Sequence, residues 1–208
     1  MNIEKNKHLN PDLQDFGNKP IMKNLALFAS GNGTNVQRIA DYFADNANVG
    51  IKLIVCNNEK AYVLERAKKL VITSYLINDK EKFYNSDELL QTLQQNHIDL
   101  LVLAGFLWLI PDNLIEAYPN RIINIHPALL PKYGGKGMYG MRVHEAVVAN
   151  GEIESGITIH YVNQCYDEGK IIFQAKCALS PNDTPEDVAQ KVHALEYEHF
   201  PRIIEREV

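Results

Sequence analysis

Short apolar runs alternate along the chain with longer segments whose apolar residues recur every three or four positions. The runs Leu25–Ala29, Ile51–Cys56, Ile72–Leu76, Leu100–Leu103 and Ile122–Ile125 are short and aliphatic, and they predict strands. The segments between them predict helices over about Asn35–Phe43, Tyr62–Leu70, Ser86–Asn96 and Pro111–Tyr118. Strand and helix in strict alternation predict an α/β domain: a mostly parallel central sheet with helices on both faces. After Pro127 the pattern changes. A glycine-rich loop, Lys132 to Gly140, leads into a helix near Val143–Ala149, and two β-rich runs, Gly156–Val162 and Ile171–Leu179, then predict a C-terminal antiparallel hairpin. The last helix opens at Thr184-Pro185-Glu186-Asp187, a threonine cap with proline at the first helical position and acids in the first turn. Val188, Val192 and Leu195 mark its buried face. Residues 25–208 read as one domain, preceded by an N-terminal extension, residues 1–24, expected to be poorly ordered; Met22 is an alternative start.

Composition narrows the classes. At 208 residues, 46% apolar and 23% charged, the chain has the balance of a soluble globular protein. A net charge of −5 with a pI near 5.8 argues against a general nucleic-acid binder. No apolar run approaches the roughly 20 residues of a membrane span, and the polar start lacks the apolar stretch of a signal peptide. Three cysteines without a C-x-x-C spacing point to reduced thiols and a cytoplasmic setting.

In open α/β sheets ligands bind beyond the carboxyl ends of the strands, and three candidate clusters fall there. The first is "SGNGTN", Ser30 to Asn35. Its glycines let backbone approach closely, and N–H groups at the start of the next helix face outward toward an anion. Such a turn can also be purely structural. Val36 stands where a dinucleotide fingerprint has its third glycine, and Cys56-Asn57-Asn58 offers no ribose-binding acid, which counts against a dinucleotide. The second cluster is "NIHPALLPKYGG", Asn124 to Gly135. Residues two apart on a strand share a face, so Asn124 and His126 point to one place. An amide beside an imidazole suits acyl transfer, one steadying an oxyanion and the other moving protons. The third lies on the hairpin. Ile157, Ile159 and Tyr161 form an apolar face, leaving Thr158 and His160 toward the cleft or solvent, and the turn "CYDEG" presents Asp167 and Glu168. A carboxylate near His126 would hold its tautomer and raise its pKa. The histidines show no metal-ligand spacing, so no metal is expected.

Taken together, "SGNGTN", "VLAGF" (Val102–Phe106), "NIHPALLPKY" (Asn124–Tyr133) and "YDEG" (Tyr166–Gly169) resemble the phosphoribosylglycinamide formyltransferase family, over nearly the whole chain from Leu25 onward. The resemblance implies a Rossmann-like formyltransferase fold and formyl transfer from 10-formyltetrahydrofolate to glycinamide ribonucleotide in purine synthesis, without a metal. Asn124, His126 and Asp167 match the family's catalytic trio, with a protonated His126 kept charged by Asp167. Gly33, Thr34 and Asn35 match the loop for the substrate's 5′-phosphate. Glu196 matches the residue that bonds the ribose hydroxyls, and His193 stands beside it where relatives carry glutamine. Leu107, Trp108, Leu109 and Ile110, with Asn124, match walls of the folate pocket. Leu107-Trp108 replaces the family's methionine–arginine pair, which puts that arginine's contact to the folate in question. The resemblance also implies a cis peptide at Leu130–Pro131, small-molecule substrates only, and a monomer or weak homodimer. Two rivals share the Asn-x-His-Pro element, formyltetrahydrofolate deformylase and methionyl-tRNA formyltransferase. They normally carry an added N-terminal or C-terminal domain, for which residues 1–24 and the end of this chain are expected to be too short. From another class, a non-catalytic nucleotide-binding module is the alternative, and it would leave Asn124, His126 and Asp167 unexplained.

Overall fold

The structure, a computed structural model, describes residues 22–208. The elements in chain order are β1 (Lys23–Ala29), α1 (Thr34–Phe43), β2 (Val49–Cys56), α2 (Val63–Leu70), β3 (Thr73–Leu76), α3 (Lys80–Asn85), α4 (Glu88–Gln95), β4 (Leu100–Leu103), α5 (Asp112–Ala117), β5 (Ile122–His126), α6 (Met141–Ala149), β6 (Glu154–Tyr161), β7 (Ile171–Ala178) and α7 (Pro185–Glu207). The strands form one seven-stranded sheet in the order β3-β2-β1-β4-β5-β6-β7. Neighbours from β3 to β5 pair parallel, while β6 and β7 add antiparallel to β5.

β1 shows why its sequence is a continuous apolar run. Leu25, Leu27 and Ala29 enter the core layer shared with α1, α2, α6 and α7. Ala26 and Phe28 enter the opposite layer, with α3, α4 and α5. A central parallel strand is covered on both faces, so neither face can be polar. The capping box expected at Thr184 is present: its hydroxyl accepts from the Asp187 N–H and the Asp187 carboxylate accepts from the Thr184 N–H. α3 has no periodic signature in the sequence. It is six residues long, buries only Phe83, and is held by Asp79, whose carboxylate accepts from the N–H groups of Glu81 and Lys82. The expected extension lies almost wholly outside the described residues, and β1 already begins at Lys23. The Leu130–Pro131 peptide is cis. Among the described residues, no helix is long and apolar enough to cross a membrane.

After β1 the chain builds β2 and β3 on one side, then returns to place β4 on the other side of β1. That reversal opens a crevice above the carboxyl ends of β1 and β4, where such sheets hold their ligands. Ser30 N–H donates to the Gly105 carbonyl (3.0 Å) and Ala104 N–H to that of Phe28 (2.8 Å), which fixes the two strand ends side by side.

Candidate active site

The crevice is a cavity of about 630 Å³. Its floor at one end is the turn from β1 into α1. Gly33 caps α1 with φ 73°, and no side chain bonds to the first turn of the helix, so its N–H groups are left for a ligand. The turn is anchored from behind. Val63 N–H donates to the Gly31 carbonyl (3.2 Å). Arg66 donates from Nε to the Asn32 carbonyl and from Nη2 to Asn32 Oδ1, both at 2.8 Å. The Ser30 hydroxyl accepts from Leu107 N–H (2.9 Å), which ties this end to the opposite wall. A Cβ at Gly33 would lie 2.5 Å from Val63 Cγ2. The glycine is therefore dictated by its left-handed backbone and by α2 behind it, rather than by the approach of a ligand in front.

Beside the turn, Asn35 Nδ2 donates to Glu196 Oε2 at 2.9 Å, although the two residues lie on α1 and α7. Glu196 is buried. Burial raises its carboxyl above the ordinary value, against the lowering influence of Asn35 and of the His193 charge. His193 stacks on Tyr197, with its ring also edge-on to His144.

At the far end of the cavity β5 delivers Asn124 and His126. The His126 Nε2 lies 2.7 Å from the Tyr133 carbonyl. A carbonyl only accepts, so Nε2 carries a proton, and Nδ1 is the nitrogen left facing Asp167 Oδ2 at 3.5 Å. Asp167, at the hairpin turn with φ 58°, also accepts from Gly135 N–H (2.9 Å). Burial works to raise its carboxyl, but His160, His126 and the Gly135 N–H together hold it below the usual carboxylate range. For His126 the balance goes the other way. Burial outweighs the pull of Asp167 and of the Tyr133 carbonyl, so its pKa lies below the ordinary imidazole value. The expected rise in its pKa is thus corrected to a fall: for a residue only 3% exposed, losing hydration costs the charged form more than one carboxylate at 3.5 Å returns.

Between the two ends stands an apolar wall, Leu107 to Ile110. Trp108 packs on Phe83 (centroids 5.5 Å), and the Lys80 amine sits 5.3 Å above the Trp108 ring. The Tyr84 hydroxyl donates to the Leu109 carbonyl (3.2 Å), and Ile110 is buried. The cavity walls include all of these groups: Gly33, Thr34 and Asn35; His193 and Glu196; Leu107, Trp108, Leu109 and Ile110; Asn124, His126 and Asp167.

Residues 23–204 match the family model described as formyl transferase. The chain belongs to the formyl transferase family. It is 40% identical over 199 residues to the chloroplastic phosphoribosylglycinamide formyltransferase of Arabidopsis thaliana, covering 93% of this chain and 68% of that protein. It is 35% identical over 189 residues to the Bacillus subtilis phosphoribosylglycinamide formyltransferase, covering 89% and 94%. The crystal structure of the Streptococcus pneumoniae enzyme of that name superposes with a TM-score of 0.77 at 35% identity, over 89% of this chain and 98% of that one.

Several groups of this formyltransferase site were not assigned a part from the sequence. His160 pairs opposite Asn124 across β5 and β6. Its Nδ1 donates to the Tyr161 carbonyl (2.8 Å), leaving Nε2 to accept from Asn124 Nδ2 at 3.0 Å and so orient the amide. Only the strand register brings them together, and a sequence does not display register. Thr158 shares its face but is fully buried, not open to the cleft. Its hydroxyl donates to the Ala128 carbonyl (2.7 Å) and accepts from Leu130 N–H (3.0 Å), bracing the loop after His126. Ser30, Arg66 and Tyr133 act through contacts to or from backbone groups, Arg66 also through Asn32 Oδ1, and these carry no residue signature.

Proposed function

We propose that this formyltransferase moves the formyl group of 10-formyltetrahydrofolate to the amine of glycinamide ribonucleotide in purine biosynthesis. One observation carries the reading: an anion-receiving helix start and a half-buried amide–imidazole–carboxylate group open into the same cavity. That spacing suits a substrate with a phosphate at one end and a nucleophile at the other. Gly33, Thr34 and Asn35 hold the 5′-phosphate through backbone N–H groups. Glu196 and His193 take the ribose hydroxyls. The apolar wall Leu107–Ile110 takes the flat pterin-bearing donor, with Asn124 at the transfer point.

In this mechanism the amine attacks the formyl carbon, a C–N bond forms, and the carbonyl becomes an oxyanion. Nδ1 of His126, the nitrogen left without a proton in the Nε2–H tautomer, takes the proton that the attacking nitrogen sheds. The histidinium so formed lies beside ionised Asp167, which stabilises it at the moment it is needed. Its Nδ1–H, with the amide of Asn124, steadies the oxyanion; a single such donor is worth roughly 2.7–4 kcal/mol of transition-state stabilisation. Collapse breaks the bond to the folate nitrogen, and the proton passes from His126 to that leaving group. The products are the formylated ribonucleotide and tetrahydrofolate. The working unit we propose is a monomer or weak homodimer, and the unpaired thiols of Cys56, Cys165 and Cys177 suit a reducing cytoplasm.

The test is incubation with 10-formyltetrahydrofolate, with and without glycinamide ribonucleotide, following both folate and ribonucleotide. Formylated ribonucleotide made only when both are present is the expected result. Free formate released from the donor alone would make the chain a hydrolase, and inertness toward both would refute the reading.

A further inference from the structure

The direction in which His126 presents its free nitrogen depends on one backbone carbonyl, that of Tyr133. Tyr133 adopts φ 58°, a left-handed conformation that bulky residues avoid. Something must hold it there. Its side chain points away from the catalytic cavity into a second one, of about 280 Å³, behind the loop. There its hydroxyl donates to Glu152 Oε1 at 2.9 Å, and the same oxygen accepts from Lys132 Nζ at 2.8 Å. Glu152 is itself fixed, because its N–H donates to the Val147 carbonyl in the last turn of α6 (3.3 Å). The Lys132 and Tyr133 hydrogen bonds keep its carboxyl below the ordinary range, so it is ionised and acts as an acceptor at neutral pH.

We propose that Glu152 and Tyr133 are positioning residues for formyl transfer: Glu152 grips the Tyr133 hydroxyl, and Tyr133 holds its own carbonyl on His126 Nε2, so that Nδ1 alone faces Asp167 and the substrate. Neither residue lines the catalytic cavity, and neither touches the reacting atoms. Without the strut, Tyr133 relaxes toward an ordinary backbone conformation, and its carbonyl leaves His126. The imidazole then samples both tautomers, and in one of them Nδ1 already carries its proton and is useless as the acceptor.

This inference rests on the formyl-transfer reading for its kinetic consequence, but not for its tautomeric one. In Tyr133→Phe and Glu152→Ala, single-turnover transfer at saturating substrates falls about tenfold, while affinity for glycinamide ribonucleotide stays within about twofold. Glu152→Gln, which keeps an acceptor oxygen for the hydroxyl, recovers most of the rate. Two-bond ¹⁵N–¹H spectra of the His126 ring in the unliganded protein give the independent readout. Wild type shows the Nε2–H tautomer alone, and the two disabling variants show a mixture. Variants that melt at lower temperature yet keep the wild-type rate per folded molecule and a pure Nε2–H spectrum would overturn the proposal. Should they not fold, the wild-type spectrum still decides: an Nδ1–H or mixed tautomer there also overturns it. A wild type with the pure Nε2–H tautomer but no formyl transfer would sink the functional reading and leave the strut standing.

Discussion

The two ends of the cavity are made in opposite ways. The β1–α1 turn, Ser30 to Asn35, contains no ionisable side chain; the groups it offers are backbone N–H, and their geometry is set by contacts from behind, Val63 and Arg66. At the β5 end the groups on offer are side chains, buried or half-buried and all but the Asn124 amide ionisable, and they hold one another: His126 with Asp167, Asn124 with His160. A site that only has to hold a fixed charge does best with rigid dipoles, which cost no reorganisation and do not titrate near neutrality. A site that has to move a proton needs groups whose ionisation the fold can shift. The first end should therefore fail through steric and backbone changes, the second through changes of charge at constant shape.

The largest effect is expected at the second end. Asp167→Asn keeps the shape but removes the charge beside His126 Nδ1, so turnover should fall at least about a hundredfold while nucleotide affinity moves little. Stopped-flow transfer rates beside calorimetric affinities check this, and wild-type turnover would exclude Asp167 from the reaction. Next comes Gly33→Val. It meets both a left-handed backbone and Val63, so it should destabilise the fold by about 1–3 kcal/mol and weaken nucleotide binding about ten- to a hundredfold in the folded fraction. Folate binding should survive, and equal loss of both ligands would make the turn purely structural. Arg66→Met removes two hydrogen bonds to Asn32 from the solvent side. Nucleotide affinity should drop about three- to tenfold with the transfer rate of the bound complex unchanged; a changed rate with unchanged affinity would contradict the division between the ends.

The smallest effect concerns His144, buried between them. Burial first, then the charges of His193 and His126, push its pKa down to about 4. The unfolded chain takes up this proton as pH falls below about 6.5, the folded chain only near the lower value. Stability linked to this ring is therefore intact above about pH 6.5 and is lost as pH falls toward that folded value, at up to about 1.4 kcal/mol per pH unit. Urea unfolding at a series of pH values should show this slope, and His144→Phe should flatten it. An unchanged slope in the variant would mean that the ring is already free to ionise.

How much of this was open to sequence reading follows from the same contrast. The parallel strands were legible because both faces of β1, β4 and β5 are buried, leaving uninterrupted apolar runs, and α7 because its cap is written in four consecutive residues. Asn124, His126 and Asp167 were legible as residue types suited to acyl transfer and as members of a motif. The ionisation of His126 was not, since it depends on how far burial outweighs one carboxylate, a balance set in three dimensions. Nor was the part of His160, which needs the β5–β6 register, or that of Glu152, which reaches the chemistry only through another residue's carbonyl. α3 escaped because it is short and polar, with a single buried side chain.

The central claim is that one end of the cavity holds the phosphate while the other performs the transfer. A crystal structure with glycinamide ribonucleotide and a donor analogue that cannot release its one-carbon group tests it most directly. The account predicts the phosphate within hydrogen-bond reach of the N–H groups of Gly33 to Asn35, and the substrate amine beside Asn124 and His126 Nδ1. A phosphate seated instead on the Lys136–Arg142 loop, or a nucleotide bound with its amine away from β5, would contradict it.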